Sequence, residues 1–300
     1  MGQSNITSIV RDADGRKWVL REPPAGTAHD VQREADIIRA LAGSGIPVPR
    51  VVGNGYTRGV GSFFVMEWVA GAPLESEDDA RAIDPRRRRE LGLSVIRTLA
   101  RLHTLDPASM GIVRSATPYV ERQIHRMSEV WLRVGSGSAH DAAWRAVRAR
   151  LLECLPSQPG SVVMHGDFRL SNLLVTNGDI TAVLDWELCT VGDPLADLAW
   201  LLDDWRSPDE PAISMPSPTR AGEFPTRAEL IDNYRAETGV RIDRLGYYRG
   251  FSQWRAASLL QGVLTRRRTG VMGDHGAIDL DLLDDSIAAL LMSAVDHLKE

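Results

Sequence analysis

A chain of 300 residues with 43% hydrophobic side chains is long enough to bury a large core, as one domain or as two lobes. Its 35 Lys and Arg against 40 Asp and Glu leave a net charge of −5, which argues against a nucleic-acid binder. Cys154 and Cys189 lack metal-ligand spacing, nothing resembles a secretory signal, and no apolar run approaches the roughly 18–20 residues that span a bilayer, so a reduced, cytoplasmic protein with no membrane partner is expected.

In chain order, residues 2–10, the Asp14-Gly15 turn and residues 16–21 read as a β-hairpin. Val31, Ala35, Ile38 and Leu41 fall at helical spacing, and residues 43–49 stop that helix. Two strands follow over 50–55 and 62–68; in the second, Phe63, Phe64, Val65 and Met66 are uniformly apolar, as in an interior strand. Asp84 is placed to cap a helix with Pro85 in its first turn and a stripe of Leu91, Val95, Leu99 and Leu102. His103, at its end, reads as a buried structural group. The basic runs at 86–89 and 266–268 read as solvated helix faces, since neither is interleaved with aromatics.

Tyr119–Val134 and residues 139–155 read as helices. Three short apolar runs, Val162–Met164, 173–175 and 180–184, read as strands with polar residues at their ends. Asp193-Pro194 starts a helix through Trp200 and Leu201. Asp203, Asp204, Asp209 and Glu210 then read as solvated surface, with an acidic landing area for a cationic substrate as the sharper alternative. Residues 207–225, with five prolines, form an irregular loop at the edge of a substrate pocket. Thr226 and Glu229 make a capping box, residues 245–264 a long helix carrying Tyr247, Tyr248, Trp254, Arg255 and Gln261, and residues 280–298 a closing helix.

The chemistry is concentrated in residues 162–202. Asp167 leads Asn172 by five positions and Asn172 leads Asp185 by thirteen, the spacing of the protein-kinase H-R-D-x-x-x-x-N and D-F-G segments. Phosphoryl transfer calls for these types: a carboxylate takes the proton of the attacking hydroxyl, while an amide oxygen and a second carboxylate hold Mg²⁺, a hard cation. Asp167 is thus the candidate base, and Asn172 and Asp185 are the candidate metal ligands. Arg169, two residues past the base, is positioned to offset charge on the transferring phosphoryl group. His165 reads as an organiser of the loop.

His165-Gly-Asp and Asp185-Trp-Glu replace the protein-kinase forms. With HGDFRLSNLL, AVLDWELCTVGDPLADLAWLL and YYRGFSQWRAASLLQG, the chain resembles the aminoglycoside phosphotransferase superfamily of small-molecule kinases. Within it the resemblance is strongest to kinase-like domains fused to, or encoded near, acyl-CoA dehydrogenases. It implies an α+β, bilobal protein-kinase-like fold, with a small β-rich N-lobe (1–68) and a larger, mainly helical C-lobe (69–300). The N-lobe is expected to lack the first strand that relatives carry.

The resemblance also implies that residues 2–7, with Ser4 and Asn5, cover the phosphates. It gives Arg21, paired with Glu34, the role of the kinase strand lysine. Glu67 and Val69 lie in the hinge that meets the purine of ATP or GTP, and Asp197 braces the catalytic loop from beneath. The implied partner is a small-molecule hydroxyl acceptor, open between a hydroxyacyl-CoA-type metabolite and an aminoglycoside or macrolide. A catalytically silent nucleotide binder is the rival of a different class.

Overall fold

A computed structural model describes residues 5–24, 31–58, 61–158, 160–270 and 279–299. The N-lobe is an antiparallel sheet of β1 (Ile6–Arg11), β2 (Lys17–Glu22), β3 (Val51–Thr57) and β4 (Gly61–Glu67) in the order β1-β2-β4-β3. The Asp12 carboxylate builds the β1–β2 turn by accepting the backbone N–H groups of Asp14 and Arg16 and the indole N–H of Trp18. Helix α1 (Gln32–Leu41) packs on β3 and β4 through Ala35, Ile37, Ile38 and Leu41, the face that its apolar spacing predicts. Glu34 is buried on that helix too, which sets up the charge pairing described below.

The connection to the C-lobe is tied down rather than loose. Ala72 exchanges two backbone hydrogen bonds with Val175, at 3.1 and 2.9 Å, and the hydroxyls of Thr176 and Thr181 both donate to the Ala70 carbonyl. Gly71 has φ 139°, and a Cβ there would lie 2.8 Å from Thr181 Oγ1, so both conformation and close approach call for glycine.

The C-lobe contains α2 (Glu77–Arg81), α3 (Pro85–His103), α4 (Tyr119–Val134), α5 (Asp141–Glu153), β5 (Val162–Met164), β6 (Leu173–Thr176), β7 (Asp179–Val183), β8 (Thr190–Gly192), α6 (Pro194–Asp204), α7 (Arg227–Thr238), α8 (Leu245–Arg268) and α9 (Leu280–His297). The caps are the predicted ones: Asp84 accepts from the Arg86 N–H, Asp193 accepts from the Leu195 N–H, and Thr226 and Glu229 form a reciprocal box. Helix α8 is buried on nearly every side, and α4, α5, α6 and α9 pack around it. Trp254 of α8 stacks on Trp144, and Trp144 on Trp131, at centroid separations of 4.8 and 4.5 Å. Truncating such a buried indole to Ala costs about 3–5 kcal/mol. No helix among the described residues is long and apolar enough to cross a membrane.

Two elements escape the sequence pattern. Helix α2 has only five residues, too few to show a period, and β8 exists only through its pairing with β5. The basic run at 86–89 is solvated at Arg86 and Arg89 but not throughout. Arg88 is buried and donates to the carbonyls of Arg81, Ile83 and Ala221, while Arg87 pairs with Asp179 and Arg89 with Glu229. Its value lies in tying α3 to neighbouring loops and to α7, a tertiary role that charge patterning does not reveal.

Candidate active site

Strand β5 delivers the chain to His165-Gly166-Asp167, and the loop is fixed from below. Asp197 on α6 accepts the backbone N–H groups of His165 (2.7 Å) and Gly166 (2.9 Å). Burial alone would raise the Asp197 carboxyl, but the His103 ring and the His165 N–H outweigh it and hold the group below its ordinary value. His103 is buried between Asp197 and the Tyr234 hydroxyl, a structural position with a partner on each nitrogen. Gly166 has φ 84°, and a Cβ there would meet the Leu188 carbonyl oxygen at 2.8 Å. An Arg at this position, as in protein kinases, would not fit this loop.

His165 organises rather than reacts. Its Nδ1 accepts the Asp167 backbone N–H at 3.2 Å, which leaves Nε2 carrying the proton toward the Leu184 carbonyl at 2.8 Å. Its ring lies against Trp186. The Asp167 side chain is half-buried and doubly held: Oδ1 accepts the Trp200 indole N–H at 2.6 Å, and Oδ2 accepts the Asn172 amide at 3.0 Å. The Asn172 amide also reaches the Asp167 carbonyl at 2.8 Å, so its own carbonyl oxygen remains to be offered elsewhere.

Asn172 stands where a 3₁₀ turn (Leu170–Asn172) enters β6, and Asp185 follows the end of β7, the next strand of the same hairpin. The Asn172 backbone carbonyl accepts the Leu184 N–H at 2.8 Å, which brings the two positions side by side. Asp185 is in the left-handed region (φ 62°, ψ 62°), a conformation tolerated by Asp and concentrated at functional sites.

The N-lobe closes the site from above. Arg21 on β2 reaches Glu34 at 2.9 and 3.0 Å, Asp185 at 3.2 Å and the Thr7 hydroxyl at 2.7 Å. Asn5 donates to Glu34 at 3.2 Å. Burial raises the Glu34 carboxyl above its ordinary value, and the adjacent Arg21 offsets only part of that shift. One residue before Glu34, Arg33 crosses to the C-lobe and donates to the backbone carbonyls of Glu187 and Cys189. Thr7, Arg21, Glu34, Asn172 and Asp185 line one cavity of about 150 Å³.

Asn172 and Asp185 offer an amide and a carboxylate oxygen to that cavity, and among the described residues no group of three or more His, Cys, Asp or Glu forms a closed metal cage. Such a donor set fits Mg²⁺, which keeps waters and takes phosphate oxygens rather than an all-protein shell. Of the expected nucleotide residues, Ser4 lies outside the described residues. Glu67 directs its side chain to Arg50 at 2.7 Å, and its N–H bonds the Arg50 carbonyl. Val69 is half-buried at the start of the connection between the lobes.

Arg169 pairs with Asp204 at 2.6 Å, with both side chains largely buried. This overturns the expectation of solvated acids at the end of α6. Asp203 is likewise held by Arg249 at 2.9 Å, and Glu210 by Arg227; Asp209 alone of the four is exposed. Burial and the nearby Asp167 charge push the Asp204 carboxyl up to about 6 despite Arg169. Trp200 and Arg255 are the site residues that sequence reasoning missed. The Arg255 guanidinium stacks 4.3 Å over the Trp200 ring and donates to the Gly166 carbonyl at 2.9 Å. Both sit in helical apolar patterns that look like core.

This fold, with a His-Gly-Asp loop and an Arg–Glu pair facing each other across the lobe junction, is that of a kinase-like phosphotransferase. The chain belongs to the phosphotransferase enzyme family APH, whose family model matches residues 1–230. It is 33% identical to acyl-CoA dehydrogenase family member 10 of Mus musculus over 96% of this chain and 28% of that protein. It is 31% identical to acyl-CoA dehydrogenase family member 11 of Rattus norvegicus over 96% of this chain and 38% of the relative. The chain thus spans about a third of the length of these curated relatives. It is also 28% identical to an aminoglycoside 3'-phosphotransferase of Streptomyces fradiae over 63% of this chain and 69% of that one. Among solved structures, a Ralstonia eutropha protein assigned to the aminoglycoside phosphotransferases superposes with a TM-score of 0.78 at 24% identity, covering 99% of this chain and 94% of that one.

Proposed function

We propose that this protein transfers the γ-phosphoryl group of Mg²⁺-bound ATP or GTP to a hydroxyl of a small molecule. The observation that carries the reading is the Asp167 carboxylate, held at both oxygens beside Asn172 and within one hairpin of Asp185. Asp167 takes the proton of the acceptor hydroxyl. The hydroxyl oxygen forms its bond to the γ-phosphorus as the bond to the β,γ-bridging oxygen breaks, giving a phosphate ester and a nucleoside diphosphate. Asn172 and Asp185 would hold Mg²⁺, which would neutralise charge on the phosphates. Arg21, kept in place by Glu34, faces the α- and β-phosphates, with Ser4 and Asn5 covering them and the hinge at Glu67 and Val69 meeting the purine. Arg169, held by Asp204, would offset charge on the transferring phosphoryl group.

Nucleotide use is supported by a structural neighbour, the amicoumacin kinase hAmiN solved with AMP-PNP, Ca²⁺ and Ami, at a TM-score of 0.64 and 15% identity. The names of the acyl-CoA dehydrogenase relatives favour a hydroxyacyl-CoA-type acceptor, and that of the Streptomyces relative an aminoglycoside. The test is incubation with Mg²⁺-ATP and a panel of hydroxyacyl-CoAs, aminoglycosides, macrolides and amino alcohols, followed by mass spectrometry for an acceptor that has gained one phosphate. Asp167→Ala should abolish transfer and leave nucleotide binding intact. Nucleotide binding without transfer to any acceptor would reduce the protein to a silent binder.

A further inference from the structure

Beside the catalytic loop, α6, residues 207–225, α8 and α9 enclose a second cavity, walled by Trp200, Ile213, Met215, Ala256 and Leu290. Its polar lining is under-satisfied. Arg169, Asp203, Asp204, Arg206 and Ser252 line it, and among the described residues Arg169 Nε, Asp203 Oδ2, Asp204 Oδ2, Arg206 Nε and Ser252 Oγ are shielded from solvent without a hydrogen-bond partner. Ser252 and Asp204 are more than nine-tenths buried. Buried polar atoms are seldom left unpaired, and five around one space mark a place built to receive a polar group.

We infer that this cavity receives a neutral hydroxyl of the acceptor, so that the acceptor carries at least two hydroxyl groups; the inference rests on the phosphotransferase reading of the adjoining site. Three features select a hydroxyl. The unpaired atoms are mixed: two carboxylate oxygens accept, two guanidinium Nε–H groups donate, and the serine does both. An ammonium would meet the two donors without a partner, and a carboxylate would meet the two acceptors, whereas a hydroxyl donates and accepts at once. The carboxylates also bring no unpaired negative charge, because Asp203 and Asp204 are held by Arg249 and Arg169, while Arg206 adds a cation that disfavours an ammonium. Finally, the space available is about 20 Å³, close to one water, which admits a hydroxyl or hydroxymethyl group and excludes a sugar ring.

Trp200 connects the two positions. Its indole N–H holds Asp167 while its ring forms a wall of the cavity. The hydroxyl to be phosphorylated lies on the Asp167 side and the recognised hydroxyl on the other. A polycationic antibiotic gains nothing from carboxylates that are already paired.

The experiment is nucleotide-free calorimetry with the full chain, titrating glycerol, erythritol, ribitol and myo-inositol against glucosamine and 3-hydroxybutyrate. At least one neutral polyol is expected to bind. Its dissociation constant should rise at least fivefold in Ser252→Ala, which removes one partner, and in Ala256→Val, which fills the space; thermal melting checks that both fold. Binding of glucosamine or 3-hydroxybutyrate in preference to every polyol would overturn the inference. So would binding by none of the six, which would leave the cavity to water, or polyol binding indifferent to both substitutions. Because no nucleotide is present, polyol binding without later phosphate transfer would keep the hydroxyl-binding site and sink the kinase reading. Transfer to a charged acceptor with no polyol binding would do the reverse.

Discussion

Trp200 donates its indole N–H to Asp167 Oδ1 at 2.6 Å, so the candidate base is aimed by a residue from a different helix. Trp200→Phe keeps an aromatic wall and removes that bond. Steady-state assays should show kcat reduced by roughly ten- to a hundredfold, the scale at which small misplacements of a reacting group are felt. The KM for nucleotide should move little. An unchanged kcat would mean that Asn172 alone positions the carboxylate.

Arg21 and Glu34 form a buried pair, and breaking one side leaves an uncompensated charge. Arg21→Met should destabilise the fold by about 3–5 kcal/mol in denaturant titrations. The double change Arg21→Met with Glu34→Leu should recover most of that loss while nucleotide affinity stays low. Additive losses in the double variant would show that the two side chains do not depend on each other.

Two glycines with positive φ provide a matched comparison. Gly137, at φ 76°, has open space where a Cβ would go, whereas Gly166, at φ 84°, has the Leu188 carbonyl oxygen at 2.8 Å. Gly137→Ala should cost about 1–2 kcal/mol, the backbone term alone. Gly166→Ala should cost a further 1–3 kcal/mol or so from steric strain, and should lower phosphate transfer as well. Equal losses would show that the loop yields without strain.

How far the sequence reaches is visible in these same residues. Asp167, Asn172 and Asp185 are legible because the hairpin that joins them is local and its spacing is fixed by short strands. Tyr119–Val134 and the capped helices are legible because caps and periods are local signals. Trp200 is hidden inside an apolar run, and only the packing of α6 under the loop shows that its N–H leaves the core for Asp167. Asp203 and Asp204 look solvated because their partners, Arg249 and Arg169, lie 46 and 35 residues away.

Asp193, which caps α6, gives a pH signature. Burial pushes its carboxyl up to about 6, even though the Tyr248 hydroxyl and the Leu195 N–H donate to it. The native state thus holds this proton more tightly than the unfolded chain, whose Asp titrates near 3.8. The resulting stabilisation is complete below about pH 4 and is lost as pH rises through about 6. Asp193→Asn retains a capping side chain that cannot ionise. Chemical denaturation should find the variant gaining on the wild type by roughly 1–1.5 kcal/mol between pH 5 and pH 7.5. A difference that is flat across this range would place the titration elsewhere.

Arg33 meets the C-lobe at the backbone carbonyls of Glu187 and Cys189. A bond to the main chain does not ask what side chain is attached. The clamp therefore depends on the identity of Arg33 and on the backbone path at 187 and 189, not on the side chains those positions carry. Arg33 thus adds a main-chain clamp to the Arg21 bridge that already links Glu34 of α1 to Asp185.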